Sequence, residues 1–175
     1  MPPEDIVTRL GAGFATLFGR DASLFDLGMD GVNEQTITFR LGHYLQHLFR
    51  DHHVDCEYNR YYDGKKGCEY TGISWMKPDV IVHRRGSDQA NLVCIEAKKD
   101  GQWSDGYADV EKKLLALTRG DGNYRYALGL AWRMAPSPDP ARHEALWFRN
   151  GTIFHESTLA GFEPNLIQRL RPPAG

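Results

Sequence analysis

The sequence predicts an α/β domain in which amphipathic helices alternate with short apolar strands. Apolar residues repeat at helical spacing over residues 32–51, and two apolar, β-branched runs follow at 77–82 and 92–98. A second helical pattern then leads into an almost wholly apolar run at 124–132, as in a strand covered on both faces. With 175 residues, we expect a single domain over residues 1–175 with its own hydrophobic core.

Two helices are predicted before the first strand. The first covers residues 4–19 and contains Gly11 and Gly13, which we interpret as positions of close helix packing. No strand precedes these glycines and no Gly-Lys-Ser/Thr follows them, so they do not indicate a phosphate loop. The second helix covers residues 32–51, and Glu34 lies on the inward face of its first turn. A carboxylate there either complements the positive helix end or has a functional role.

The first strand is predicted at residues 54–61, where side chains alternate with period two. The alternation places Val54, Cys56 and Tyr58 on one face and polar residues on the other. Residues 63–74 contain three glycines and two lysines, so we expect an exposed loop between this strand and the next.

Four further elements are predicted beyond the run at 92–98. Asn-Gly between two apolar runs is the turn pair that favours a type I′ hairpin, and glycine favours the end of a helix. In chain order the elements are a helix capped by Ser104 or Asp105 and ended by Gly120 and Gly122, a strand at 124–132, a C-terminal hairpin around Asn150-Gly151, and a short helix after Gly161.

After Lys77, the two apolar runs contain three charged residues, although charge is uncommon in such runs. Glu96 and Lys98 share one face of their strand, and Asp79 begins the neighbouring run. Carboxylate oxygens suit hard divalent ions such as Mg²⁺ or Mn²⁺, and an ammonium group can orient a water against a phosphate. A structural Glu–Lys pair is the alternative, but buried charge is usually paired or bound to metal, so we favour a functional site.

The motif formed by Pro78-Asp79 and Glu96-Ala97-Lys98 resembles that of the PD-(D/E)xK nuclease superfamily, whose fold is called restriction-endonuclease-like. The resemblance covers about residues 31–133 and includes the order helix, three strands, helix, strand. It implies a mixed sheet flanked by helices (an α-β-β-β-α-β core), to which the C-terminal hairpin is an addition. The Gln-x-x-x-Tyr element of some exonuclease branches is missing, because Gln102 and Tyr107 do not have that spacing.

The same resemblance implies a role for each residue of the motif. Asp79 and Glu96 would bind Mg²⁺ or Mn²⁺, and the backbone carbonyl of Ala97 would complete the protein ligands. Lys98 would orient the attacking water and offset charge on the phosphate, while Glu34 would bind a second ion or hold a metal-bound water. We therefore expect hydrolysis of phosphodiester bonds, with DNA as the favoured substrate and a homodimer as a further possibility.

Basic residues near the predicted strand ends are candidate contacts to nucleic acid. Arg84 and Arg85 end the second strand, and Lys99 directly follows the third. Lys65 and Lys66 stand among aromatic residues in the loop at 63–74, which as a unit could contact phosphates and stack on unpaired bases. For each residue taken singly, a solvated surface position is an equally open interpretation.

Composition excludes several classes of protein. The formal net charge of −2 is not that of a general nucleic-acid binder, although an enzyme can confine positive charge to one cleft. No stretch approaches the roughly 20 apolar residues of a membrane span, and the first residues lack the order of a secretory signal. Three cysteines without a regular framework predict reduced thiols, and hence a cytoplasmic protein.

Other sites and functions are alternatives to the nuclease. His43 and His47 have the i, i+4 spacing of a zinc pair but lack the glutamate of a metalloprotease helix. A zinc site would lack any Cys-x-x-Cys spacing; its ligands would be His52, His53, Cys56 and Cys68. A non-catalytic nucleic-acid-binding or assembly module of the same fold, and an RNA-directed nuclease or toxin, remain the alternative functions.

Overall fold

The protein is described here by a computed structural model, which covers residues 1–26, 32–58, 60–61, 64–65, 76–87 and 89–171. Within these residues the chain forms five helices and eight strands, and one turn of 3-10 helix at Pro140–Arg142. The helices are α1 Pro3–Arg20, α2 Ser23–Asp26, α3 Glu34–Leu48, α4 Asp100–Thr118 and α5 Phe162–Leu170. The strands are β1 His53–Cys56, β2 Arg60–Tyr61, β3 Gly64–Lys65, β4 Val80–His83, β5 Val93–Lys99, β6 Leu128–Met134, β7 Glu144–Arg149 and β8 Thr152–Thr158.

Six of the strands form one mixed sheet in the order β1-β4-β5-β6-β7-β8, and β2 pairs with β3 in a separate ribbon. Strands β5 and β6 are parallel, whereas every other pair in the large sheet is antiparallel. The parallel pair is joined by α4, because parallel neighbours need a crossover connection. The mixed α/β sheet is confirmed, and the predicted order of helix, three strands, helix and strand matches α3, β1, β4, β5, α4 and β6.

Each face of the sheet carries its own hydrophobic core. The side chains of Val93, Ile95 and Ala97 pack with α1, α3 and α5 on one face. Cys94 and Ile81 pack against α4 on the other face. The alternation predicted for β5 is therefore confirmed, and it decides which face receives the charged residues of that strand. Among the described residues, no helix combines the length and apolar character that a membrane crossing requires.

The first strand is shorter than predicted. It ends at Cys56 because Glu57 has a φ of 56°, a left-handed conformation that breaks the period-two alternation. Val54 and Cys56 share the α3 face as expected, but Tyr58 packs in the core on the α4 face. Part of the predicted loop at 63–74 is strand β3, and the rest lies outside the described residues.

Other boundaries also differ from the predictions: β4 is Val80–His83 where residues 77–82 were expected, and α3 is Glu34–Leu48 where residues 32–51 were expected. Helix α4 begins at Asp100, directly after β5, instead of at Ser104 or Asp105. Strand β6 begins at Leu128 instead of residue 124, because Arg125 has a φ of 48° and the backbone N–H of Tyr126 donates to α4.

The C-terminal predictions are confirmed. Asn150 and Gly151 both have positive φ, at 51° and 73°, as a type I′ turn requires, and they join β7 to β8. The hairpin extends the large sheet through β7, which pairs with β6. Helix α5 follows Gly161, as predicted.

The interpretation of Gly13 as a close-packing position leads to a stability prediction. A Cβ atom added to Gly13 would lie 2.5 Å from Cδ2 of the buried Leu45 on α3. We expect Gly13→Leu to lower the free energy of unfolding by about 1–3 kcal/mol, because the two helices cannot separate without losing core contacts. Gly19→Leu is the matched control, since an added Cβ there meets nothing within 4 Å. Urea unfolding measures both, and equal stabilities would contradict the close packing of α1 on α3.

Candidate functional site

The pairing of β4 with β5 brings the motif carboxylates together. Val80 lies opposite Ile95, and continuing this antiparallel register by one residue places Asp79 opposite Glu96. Ile81 and Cys94 face α4, so period two places Asp79, Glu96 and Lys98 on that same face. The three ionisable residues singled out in the sequence therefore converge on one side of the sheet.

Asp79 is buried where the pairing of β4 with β5 ends. Its Oδ2 accepts a hydrogen bond from the backbone N–H of Ala97 at 2.7 Å, which satisfies a donor that β4 no longer reaches. Burial raises the pKa of Asp79, and the hydrogen bond from Ala97 and the charge of Lys98 offset only part of this effect. A further positive charge near Asp79 would therefore stabilise its ionised carboxylate.

Glu96 is the most buried carboxylate of the site, with only 1% of its surface exposed. Lys113 Nζ of α4 donates to Glu96 Oε2 at 2.8 Å. Glu96 Oε1 has no hydrogen-bond partner among the residues that the structure describes. Burial and then the neighbouring charge of Asp79 raise the pKa of Glu96 to about 7. Lys113 acts in the opposite direction, but one ammonium at one oxygen does not compensate for the burial of the whole group.

Lys113 was not among the candidate site residues of the sequence analysis. It lies three residues after Val110 and four before Leu117, both of which are buried. A lysine at this spacing stands on the apolar stripe of its helix, and its long stem can carry the ammonium group inward. That spacing was the signal that could have identified it.

Lys98 reaches from β5 to the first turn of α3. Its Nζ donates to Glu34 Oε1 at 2.7 Å, and the backbone N–H of Lys99 donates to Glu34 Oε2 at 3.2 Å. Burial by itself lowers the pKa of Lys98, but the hydrogen bond and the charge of Glu34 raise it by more. The predicted inward position of Glu34 is thus confirmed, and its partner is the lysine of the motif.

An open cleft of about 340 Å³ lies above these groups. Asp79, Lys98 and Glu34 line it, whereas Glu96 is buried and is not among its lining residues. The remaining lining residues are polar or charged: Asn33, Gln35, Glu57, Lys99 and Gln102. A polar cleft of this kind suits a hydrated or charged ligand better than an apolar one.

Two carboxylates of the site, those of Asp79 and Glu96, are suited to bind a hard cation. Continuing the register of β4 and β5 places Asp79 opposite Glu96, and Glu96 Oε1 is a buried carboxylate oxygen with no hydrogen-bond partner among the described residues. Glu34 is directed to Lys98 and to the backbone of Lys99 instead. Within the described part of the chain, no three Asp, Glu, His or Cys side chains gather closely enough to hold a metal. Asp79 and Glu96 are thus the side chains best placed to bind a cation.

The basic residues predicted as substrate contacts differ in their surroundings. Lys99 lines the cleft, and Arg84 is exposed beyond the far end of β4. Arg85 instead pairs with Asp55, donating from Nε to Oδ2 at 2.9 Å. For Lys65 only the backbone is described, and Lys66 lies outside the described residues.

The alternative zinc site gains no support from the described residues. His52, His53 and Cys56 are described, but they belong to no three-ligand cluster there, and Cys68 lies outside the described residues. Within the described residues, Cys56 and Cys94 form no disulfide. The two remaining candidates, His43 and His47, place their ring centroids 5.0 Å apart on the exposed side of α3.

No protein-family model, curated protein or solved structure matches this chain, so its function has to be argued from the residues of the site.

Proposed function

We propose that this protein is a divalent-metal-dependent nuclease of the restriction-endonuclease-like fold that hydrolyses phosphodiester bonds, with DNA as the favoured substrate. The observation that carries the proposal is the position of Asp79 opposite Glu96, with Lys98 on the same face at the edge of a polar cleft. Two buried carboxylates and an ammonium on one face of the sheet form an uncommon arrangement, because each costs free energy to bury. The arrangement supports a site selected for chemistry.

Asp79 and Glu96 would hold Mg²⁺ or Mn²⁺ through oxygen, with the backbone carbonyl of Ala97 as a further ligand. When bound, such an ion supplies positive charge against the phosphate and activates a water. Glu96 would contribute its buried Oε1, which has no hydrogen-bond partner among the described residues. Burial and then the charge of Asp79 raise the pKa of Glu96, and a cation between the two carboxylates would offset both effects.

Lys98 supplies a positive charge at the cleft. Glu34 Oε1 accepts a hydrogen bond from Lys98 Nζ at 2.7 Å and thereby fixes the position of the ammonium charge. From there Lys98 orients a water and offsets negative charge on the phosphate in the transition state. Lys99, which also lines the cleft, lies where a neighbouring phosphate of the strand would pass. We assign Glu34 chiefly to the positioning of Lys98, and binding of a second ion would require it to leave that lysine.

A second candidate function is a non-catalytic nucleic-acid-binding or assembly module. It is favoured by the internal partners of the site: Lys98 pairs with Glu34, and Lys113 pairs with Glu96. Such pairs are also what a purely structural network would contain. An RNA-directed nuclease would use the same site as the DNA enzyme, so only the substrate distinguishes those two.

One cleavage experiment decides among the three candidates. The purified protein is incubated with linear, circular and single-stranded DNA and with RNA, in Mn²⁺ or Mg²⁺, and the products are separated by gel. We expect DNA to be cut with either ion and left intact in EDTA, because the carboxylates cannot act on the phosphate without a cation. Cutting of RNA alone would indicate the RNA-directed enzyme. Intact substrates in every lane would contradict catalysis and favour the binding module.

A further inference from the structure

Helix α3 carries a row of side chains on its outward side. Gln35, Phe39, His43 and His47 are spaced four residues apart, and all four are exposed. Residues at this spacing lie one above the other along a helix, about 6 Å apart for a rise of 1.5 Å per residue. Phe39 is the only apolar residue of the row, and 64% of its surface is exposed to solvent.

The row begins at the candidate site. Gln35 lines the cleft together with Asp79 and Lys98, and its Nε2 lies 3.4 Å from Glu57 Oε1. Phe39 follows one helical turn beyond Gln35, so a chain leaving the cleft along α3 would meet its ring next. Single exposed apolar residues are common on protein surfaces. Phe39 differs from such residues because it lies between the cleft and the rings of His43 and His47.

The row itself carries no acidic side chain. After Glu34, helix α3 contains no acidic residue; its one arginine, Arg40, pairs with Asp21, and His43 and His47 are exposed. Of the three carboxylates that line the cleft, Glu34 pairs with Lys98, Glu57 pairs with Lys77, and Asp79 accepts a hydrogen bond from the backbone N–H of Ala97. A phosphate backbone passing along the helix would therefore meet little repulsion.

We infer that this row binds unpaired nucleotides of a single strand that enters or leaves the cleft, and that the ring of Phe39 stacks on one of the bases. The inference rests on the proposed function, because a nucleic-acid strand is assigned to the row only from the row's continuity with the proposed catalytic cleft. The spacing of about 6 Å exceeds the 3.4 Å between stacked nucleotides of a duplex strand. It fits a strand whose bases are separated and face the protein one at a time.

Binding is tested without cleavage. The anisotropy of a fluorescein-labelled oligothymidylate of twelve nucleotides is followed in EDTA at low salt, with wild type and three variants. We expect Phe39→Ala to weaken binding by about tenfold, the loss of one stacked base, and Phe39→Trp to preserve or tighten it. Ile153→Ala is the matched control, because Ile153 is also exposed, at 41%, but lies on β8 at the opposite edge of the sheet.

Each other result would overturn the inference. Oligothymidylate binding by wild type that Phe39→Ala leaves unchanged, alongside metal-dependent cleavage, would remove the stacking role and leave the nuclease intact. No binding of any nucleic acid by wild type, together with no cleavage, would remove both proposals. If sedimentation showed that Phe39→Ala converts a dimer into a monomer, the row would belong to an interface between two copies of the chain.

Discussion

Replacement of Lys98 by methionine is expected to reduce metal-dependent cleavage by about 10²–10³-fold, which is the usual effect of removing one group that stabilises transition-state charge. Methionine keeps the stem that packs beside α4, where a Cβ added to Gly106 would lie 3.4 Å from Lys98 Cδ. The change therefore removes the ammonium held by Glu34 with little loss of packing. Initial rates on linear DNA, measured with saturating Mn²⁺, give the effect.

Lys112→Met is the control for Lys98→Met. Lys112 is an exposed lysine of α4, so its replacement should leave the rate of cleavage unchanged. Thermal unfolding of both variants separates catalysis from folding, because Lys98→Met also leaves Glu34 without its partner. Full activity in a folded Lys98→Met protein would show that the lysine only holds α3 against β5, and the nuclease assignment would then lose its central residue.

Replacement of Glu96 by glutamine is expected to abolish cleavage and, at pH 8, to stabilise the protein. The pKa of Glu96 is raised by burial from its ordinary value of 4.5 to about 7, so the folded protein binds more protons than the unfolded chain between these two values. Stability contributed by the protonated group is therefore lost as the pH rises through that window. The loss is on the order of 3 kcal/mol, since each pKa unit corresponds to about 1.4 kcal/mol.

Urea unfolding at pH 5 and pH 8 measures this effect. Glutamine resembles the protonated acid, so the variant and the wild type should be similarly stable at pH 5 and differ most at pH 8. Asp109→Asn, at an exposed position of α4, should shift stability equally at both pH values. Mn²⁺ at pH 8 should raise the melting temperature of the wild type and not that of Glu96→Gln. A stability difference independent of pH would mean that Glu96 does not titrate in this window.

Local patterns in the sequence determined much of the fold. Helical spacing identified α1 and α3, and Asn150-Gly151 identified the turn between β7 and β8. Period two placed Glu96 and Lys98 on one face of β5. These features depend on residues within a few positions of each other, whose backbone preferences act before any distant contact forms. The end of β1 and the start of β6 were predicted wrongly because Glu57 and Arg125 have a positive φ, a conformation that neither residue type favours.

The tertiary structure decided how the charged groups are paired. Glu34 and Lys98 are 64 residues apart in the chain, and their contact depends on where α3 lies across the sheet. The register that places Asp79 opposite Glu96, and the reach of Lys113 to Glu96, likewise follow from the packing of separate elements. The sequence therefore determined which residues could form the site. Only the packed structure decided which carboxylate faces which lysine, because electrostatic partners are chosen by distance in space and not by distance along the chain.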